Sequence, residues 1–165
     1  MLTQDRLKEL LSYDPQTGVF RWLVKPAKNI RIGAEAGCKA KSGYIYIRID
    51  GALYLAHRLA FLFMTGEMPS EHVDHANGDT SDNRWQNLRE CDRSENMCNS
   101  RKRSNSAAPF KGIYLHKQSG LWHARVQMRG FVQSLGYFAT PELAAAARDA
   151  AAITLHGDFV RTNGG

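Results

Sequence analysis

The sequence contains no stretch of ~18 unbroken apolar residues, so nothing in it has the length to cross a bilayer as a helix. Its first residues, Met1-Leu2-Thr3-Gln4-Asp5-Arg6, lack the basic stretch and apolar core of a secretory signal. Cysteine is scarce: Cys38, Cys91 and Cys98 cannot all pair, and none stands in a C-x-x-C. That excludes a disulfide framework and offers no thiolate zinc site, leaving free thiols in a reducing, cytoplasmic setting as the expectation. Acid is scarce in one region: residues 101–165 hold nine Lys and Arg against three Asp and Glu, whereas residues 1–100 hold thirteen of each. The whole net charge of +6 therefore sits in the segment 101–165, and a basic segment of that kind attracts polyanions. With 43% apolar and 23% charged residues over a length of 165, the balance is that of one globular domain or two small ones, not of a disordered chain.

The element pattern begins with Thr3 as a helix cap and Leu7, Leu10 and Leu11 as one buried stripe, ended by the turn residues of Tyr13-Asp14-Pro15-Gln16-Thr17-Gly18. Val19-Phe20-Arg21-Trp22 reads as a short strand and residues 26–42 as a long loop. Ile45, Ile47 and Ile49 alternate with Tyr44, Tyr46 and Arg48, and Asp50-Gly51 supplies a two-residue hairpin turn. A helix from about Ala56 packs Leu59, Leu62 and Phe63 inward and stops at Gly66 and Pro69. The polar stretch from His72 to Asn99 reads as strand (Val73-Asp74-His75), loop, strand (Leu88 to Cys91) and helix. Asp92 and Glu95 form a capping box for that helix, which runs to about Arg101. Residues 101–109, with Arg101-Lys102-Arg103 and a closing proline, have linker composition. Beyond them come three strands (Gly112 to His116, Leu121 to Met128, Phe131 to Phe138) with a tight turn at Arg129-Gly130. The order Thr140-Pro141-Glu142 then opens an alanine-rich helix closed by Gly157.

Asp74-His75, then Asn87 before Leu88-Arg89, then Glu95-Asn96 resemble the HNH nuclease motif, and the intervals from Asp74 to Asn87 and from Asp74 to Asn96 match its spacing. Upstream, Tyr13-Asp14-Pro15 through Gly18-Val19-Phe20, the hairpin from Gly43 and Ala56-His57-Arg58-Leu59-Ala60 resemble phage and intron-encoded members of that family. Phosphodiester hydrolysis needs a nucleophilic water, a group to take its proton and cations for the charge that builds on the phosphoryl oxygens. A hard cation such as Mg²⁺, or Mn²⁺ in its place, prefers oxygen ligands, and an imidazole that is neutral near pH 7 serves as a base. The resemblance implies that Asp74 and Asn96 hold one divalent metal, that His75 is the general base, and that Asn87 organises the loop. It implies no structural zinc, since the C-x-x-C pairs of zinc-bearing members are missing here. Asn99 is a rival to Asn96 on a similar helix face, and Asn96 is preferred by its spacing. His72 is expected to be solvated and His57 packed or phosphate-contacting. Asn83, Arg84 and Arg89 divide between contacts to the DNA backbone and loop hydrogen bonding. Adjacent strand residues point to opposite faces, so Asp74 and His75 can flank one phosphate only if the strand ends or twists there.

In the C-terminal module Trp122, Ala124, Val126 and Met128 share a face that packs on the alanine helix, leaving His123, Arg125 and Gln127 outward. Such a sheet can lie in the major groove, with Arg reading guanine and Gln reading adenine. Gly112-Ile113-Tyr114, Leu121 to Val126, Leu135-Gly136-Tyr137-Phe138, Arg148-Asp149 within Ala144 to Ala152, Leu155-His156-Gly157 and Asn163 resemble the ethylene-response-factor (apetala-two) DNA-binding domain. Tyr114 stands where plant members usually have arginine, and Ser134 where they have an aromatic residue, so base preference does not transfer.

The expectation is an α+β protein in three parts. Residues 1–100 form an HNH nuclease domain, its ββα-metal core at about 72–100 preceded by a hairpin and helix. Residues 101–109 are a basic linker, and residues 110–165 a three-stranded antiparallel sheet packed on one helix. The function expected is a metal-dependent endonuclease on double-stranded DNA, of the phage or mobile-element homing type, acting as a monomer that nicks. Its DNA contacts are Arg84, Arg101, Lys102, Arg103, His123, Arg125, Gln127 and Arg129. The competing reading is a non-enzymatic, DNA-binding regulator with an inactive nuclease unit. An RNA-binding module ranks below both, for want of exposed stacking aromatics in an RNA-recognition order.

Overall fold

Thr3 accepts a hydrogen bond from the Arg6 amide and so starts the first helix, α1 (Gln4–Leu10), with Asp5 in its first turn and Lys8 in its last. In the computed structural model of the chain, residues 2–99, 108–128, 131–156 and 162–163 are described. Contacts divide them into two compact units, Met1–Glu90 and Cys91–Gly165. The linker expected at 101–109 lies further along the chain than this division, and most of it, with Arg101, Lys102 and Arg103, falls outside the described residues, as does Arg129.

In the first unit Leu11 does not continue the helix as the leucine spacing predicts. It opens β1 (Leu11–Asp14), which pairs antiparallel with β2 (Val19–Trp22). Leu11 and Tyr13 are two apart and both buried, Leu11 opposite Trp22 and Tyr13 opposite Phe20. Strand periodicity here outweighs the helical stripe. The segment 26–42, expected as a loop, contributes β3 (Cys38–Lys39), which pairs with β4 (Ile45–Ile49), and a bridge between Glu35 and Arg21. So short a strand leaves no periodicity to read. β4 turns into β5 (Ala52–Leu55) through Asp50 (φ 47°) and Gly51 (φ 82°), the two left-handed residues that match the twist of a two-residue hairpin. α2 (Ala56–Thr65) buries Leu59, Ala60, Phe61 and Leu62 and ends at Gly66, whose left-handed backbone returns its amide to the Leu62 carbonyl. Leu7, Leu11, Phe20, Ile47, Ile49, Leu59 and Leu62 form the centre of one apolar core. β6 (His72–His75) and β7 (Leu88–Cys91) make a two-stranded sheet at its edge, joined by a long loop and a 3-10 turn at Trp85–Asn87.

The second unit begins with α3 (Arg93–Asn99), whose capping box is reciprocal. The Glu95 amide donates to Asp92 Oδ1, and the Asp92 amide donates to Glu95 Oε2, each at 2.8 Å. The strands β8 (Ile113–His116), β9 (Leu121–Met128) and β10 (Phe131–Phe138) form an antiparallel sheet with β9 in the middle, followed by α4 (Pro141–His156). Ile113, Ala124, Ala144 and Ala145 are buried, with Phe110, Trp122, Leu135 and Phe138 packed around them. The small alanines are what allow the helix to sit this close to the strands. Asn163 closes the unit. Its Oδ1 accepts from the Lys111 amide, while its own amide and Nδ2 donate to Asp149. Among the described residues no helix is long and apolar enough to cross a membrane.

Candidate active site

The two adjacent residues at the end of β6 are both buried, Asp74 at 7% exposure and His75 at 3%, and they meet different partners, as alternating strand residues do. Asp74 Oδ2 accepts from Arg89 Nη2 at 2.8 Å and Nε at 3.1 Å across the β6–β7 sheet. His75 Nε2 lies 3.1 Å from Asn83 Oδ1. The Asn83 amide nitrogen is directed at the Ser81 carbonyl, so its oxygen faces the imidazole. A neutral ring held this way carries its proton on Nε2 and its basic lone pair on Nδ1.

Asn83 is 1% exposed, and the loop that carries it is clamped from several directions. Tyr13 donates its hydroxyl to the Asn83 carbonyl at 2.7 Å, and the Trp85 amide donates to the Pro15 carbonyl at 2.9 Å. Gly18, at φ 74°, brings the β1–β2 turn so close that a Cβ there would overlap the backbone of Asn83 and Arg84. Lys39 donates to Ser81 and Thr80 to the Ser42 carbonyl. Within the loop, Asn87 Oδ1 accepts from the Asn77 amide at 2.9 Å, and its Nδ2 donates to the Asp82 carbonyl at 2.8 Å. Arg84 holds Asp82 through Nε and Nη2, at 2.8 Å and 2.6 Å, and with the Arg84 backbone amide and the Asn77 side-chain amide this pushes the Asp82 carboxyl down to about 2.

Two further rings wall the imidazole. His57 lies 5.0 Å from His75 edge to face, and Tyr44 lies 5.4 Å from His57 and 6.0 Å from His75. His57 is 4% exposed and its Nδ1 has no hydrogen-bond partner among the described residues. Burial first, then the His75 ring and Arg58, push its pKa down to about 3, so it is an uncharged neighbour at neutral pH. Burial, and next the Asp74 carboxylate, raises the Tyr44 hydroxyl above its ordinary value.

Asn96, the other expected metal ligand, lies on α3 in the second unit, its amide bonded to the Asp92 carbonyl. Among the described residues no group of three or more His, Cys, Asp and Glu is arranged to hold a metal ion. Taken by itself, the Asp74 carboxylate is the hard oxygen donor that suits a cation keeping waters of its own. From sequence, Asn83 and Arg89 divide between DNA and loop roles. Their placement makes Asn83 the partner of His75 and Arg89 the partner of Asp74. A basic residue on the strand following an acidic one was the available signal for the second pair, and no local pattern marks the first.

In the second unit, Tyr114, His123 and Tyr137 are register partners across the sheet, and Arg125 pairs with Ser134. Tyr114 and Tyr137 are 46% and 52% exposed. Each is already faced by a neighbour: the Arg125 guanidinium lies 4.1 Å from the Tyr114 ring centre, and His123 stacks on Tyr137 at 4.7 Å. Gln127 is exposed on the same strand as Arg125 and His123.

Residues 54–98, which include α2, β6, the loop and β7, match the family model described as HNH endonuclease. The particular relative found among solved structures is described as "DNA binding and cleavage by the HNH homing endonuclease I-HmuI". This chain is similar to it at 23% identity and a TM-score of 0.42, over 53% of this chain and 49% of that one. The comparison with curated proteins produced no match.

Proposed function

We propose that the chain is a metal-dependent DNA endonuclease that hydrolyses phosphodiester bonds in duplex DNA, with His75 as general base. The observation that carries this reading is the buried imidazole at the end of β6, pinned through Nε2 by Asn83 inside the segment that matches the HNH family. Asp74 and Asn96 would hold the metal, Mg²⁺ or Mn²⁺, which when bound neutralises charge on the phosphoryl and leaving oxygens. His75 takes the proton of the attacking water at Nδ1, its Nε2–H continuing to donate to Asn83 Oδ1. Asn83 keeps the ring from turning, and Asn87 holds the loop from Asn77 to Asp82 in shape. Arg89 holds the Asp74 carboxylate in place before substrate arrives.

In this reading residues 1–100 do the cutting in a ββα-metal arrangement, and residues 110–165 grip the duplex through His123, Arg125, Gln127 and Arg129. Arg101, Lys102 and Arg103 follow the phosphate backbone between them, as the net +6 carried by the segment 101–165 favours. One nuclease unit per chain then acts as a monomer that nicks one strand, the mode of a homing or mobile-element enzyme. The rival, a DNA-binding regulator with an idle nuclease unit, is favoured by one observation: Arg89 already occupies Asp74 Oδ2.

Supercoiled plasmid incubated with the full chain and Mg²⁺ or Mn²⁺ separates the two. Nicking that is lost in Asp74→Ala and His75→Ala, with DNA binding retained, is the expected result. A plasmid that carries a site the protein is shown to bind, left intact at saturating protein with either cation, establishes the regulator.

A further inference from the structure

On the outward face of the C-terminal sheet, each of two polar side chains is held by a neighbour on an adjoining strand. Arg125 lies over the ring of Tyr114, a strand away on β8. His123 is stacked on Tyr137 and has its Nε2 2.8 Å from the Ser134 hydroxyl on β10. Tyr114 and Ser134 are also the two positions at which this module departs from the plant domains it resembles. Both departures therefore fall beside a residue able to reach a base.

We propose that Tyr114 and Ser134 are the specificity-determining residues of this sheet, acting as positioning residues for Arg125 and His123. The proposal rests on the reading of the sheet as a duplex-DNA surface. A free arginine side chain has many rotamers, and fixing one costs affinity at the moment of binding. A guanidinium laid on an aromatic ring is attracted to its face and has that freedom removed beforehand. Its planar N–H fork is the geometry that meets guanine O6 and N7 side by side. A ring at position 114 thus supports one arginine that reads, where an arginine there would be a reader itself and would repel Arg125. Ser134 has the same effect on His123: by taking Nε2 it leaves Nδ1 as the edge that can face a base. The partner is duplex DNA with a guanine at the base pair under Arg125, and the net positive charge of the segment 101–165 suits the polyanion.

The test uses the full chain in metal-free buffer, so that binding is read without cleavage. Preferred duplexes are selected from a randomised pool, and affinities are then measured for the preferred duplex and for one with a single guanine replaced by adenine. Arg125→Ala is expected to flatten the preference at that guanine. Tyr114→Leu is expected to reduce it about two- to five-fold, the size of an exposed cation–ring contact, and Tyr114→Phe to retain it. The double variant should match Arg125→Ala alone, since the ring acts through the arginine. Ser134→Ala should alter preference at a different base pair, and affinity for unrelated duplex should change in neither Ser134→Ala nor Tyr114→Leu. If Arg125→Ala leaves every preference intact, the inference is overturned, and if His123→Ala leaves them intact as well, the DNA reading of this face falls with it. If Arg125→Ala flattens the preference while Tyr114→Leu does not, or Tyr114→Leu weakens all duplexes equally, the inference alone is overturned.

Discussion

Replacing Asn83 by leucine removes the group that fixes the His75 ring through Nε2 while keeping the branching of the side chain. Asn83 is 1% exposed and its Oδ1 sits 3.1 Å from His75 Nε2. Leucine leaves the imidazole N–H facing an apolar group. A buried donor stripped of its acceptor costs ~1–3 kcal/mol, and part of that falls on the orientation the base needs to meet water. In rate this corresponds to a fall in kcat of about 10- to 100-fold, with little change in DNA affinity. Asn83→Asp keeps an acceptor but places a carboxylate against the ring, which favours the imidazolium and moves the acidic limb of the kcat–pH profile to higher pH. The assay is steady-state nicking of plasmid across pH, with thermal unfolding of each variant to verify folding. A folded Asn83→Leu that nicks at the parent rate refutes the claim that Asn83 orients His75.

Gly18→Ala forces a side chain into a left-handed position against the Asn83 and Arg84 backbone, and urea unfolding should show a loss of about 2–4 kcal/mol. Arg89→Ala leaves a carboxylate of 8% side-chain exposure without its guanidinium. In metal-free buffer it should cost roughly 3 kcal/mol, a loss that added Mg²⁺ partly reverses by binding the folded state. His57 titrates near 6.5 when unfolded and at about 3 when folded. The unfolded chain therefore takes up the proton first, and stability falls as pH drops from about 6.5 toward 3. At about pH 5 the loss from this group is about 2 kcal/mol by proton linkage. Urea unfolding at pH 7 and pH 5 should show that slope in the parent chain and its absence in His57→Phe.

What could be read along the chain was what neighbouring residues decide among themselves. Asp50-Gly51 takes the two left-handed conformations its hairpin needs, Asp92 and Glu95 cap α3 by bonding each other, and the Thr140 hydroxyl oxygen accepts from the Leu143 amide at the start of α4. The alternation of β9 likewise places Ala124 and Val126 inside. Hidden from the sequence were contacts between distant residues. Leu11 leaves the helix because Trp22 and Phe20 offer a strand partner, and Cys38–Lys39 pairs only because β4 is there. At the candidate site Asp74 and His75 stand out by their motif, but their partners do not. Arg89 is 15 residues from Asp74, and the Asn83 loop is shaped by Tyr13, 70 residues away. The positive φ of Gly18 is likewise needed only because Asn83 lies against it.

The central claim is that Asp74 and Asn96 share one divalent ion beside His75. Titrating Mn²⁺ into the full chain bound to duplex DNA, and counting bound ions by electron paramagnetic resonance, tests it most directly. The account predicts a single ion per chain, lost in Asp74→Ala and in Asn96→Ala and retained in His75→Ala. An ion count that neither Asp74→Ala nor Asn96→Ala alters contradicts it.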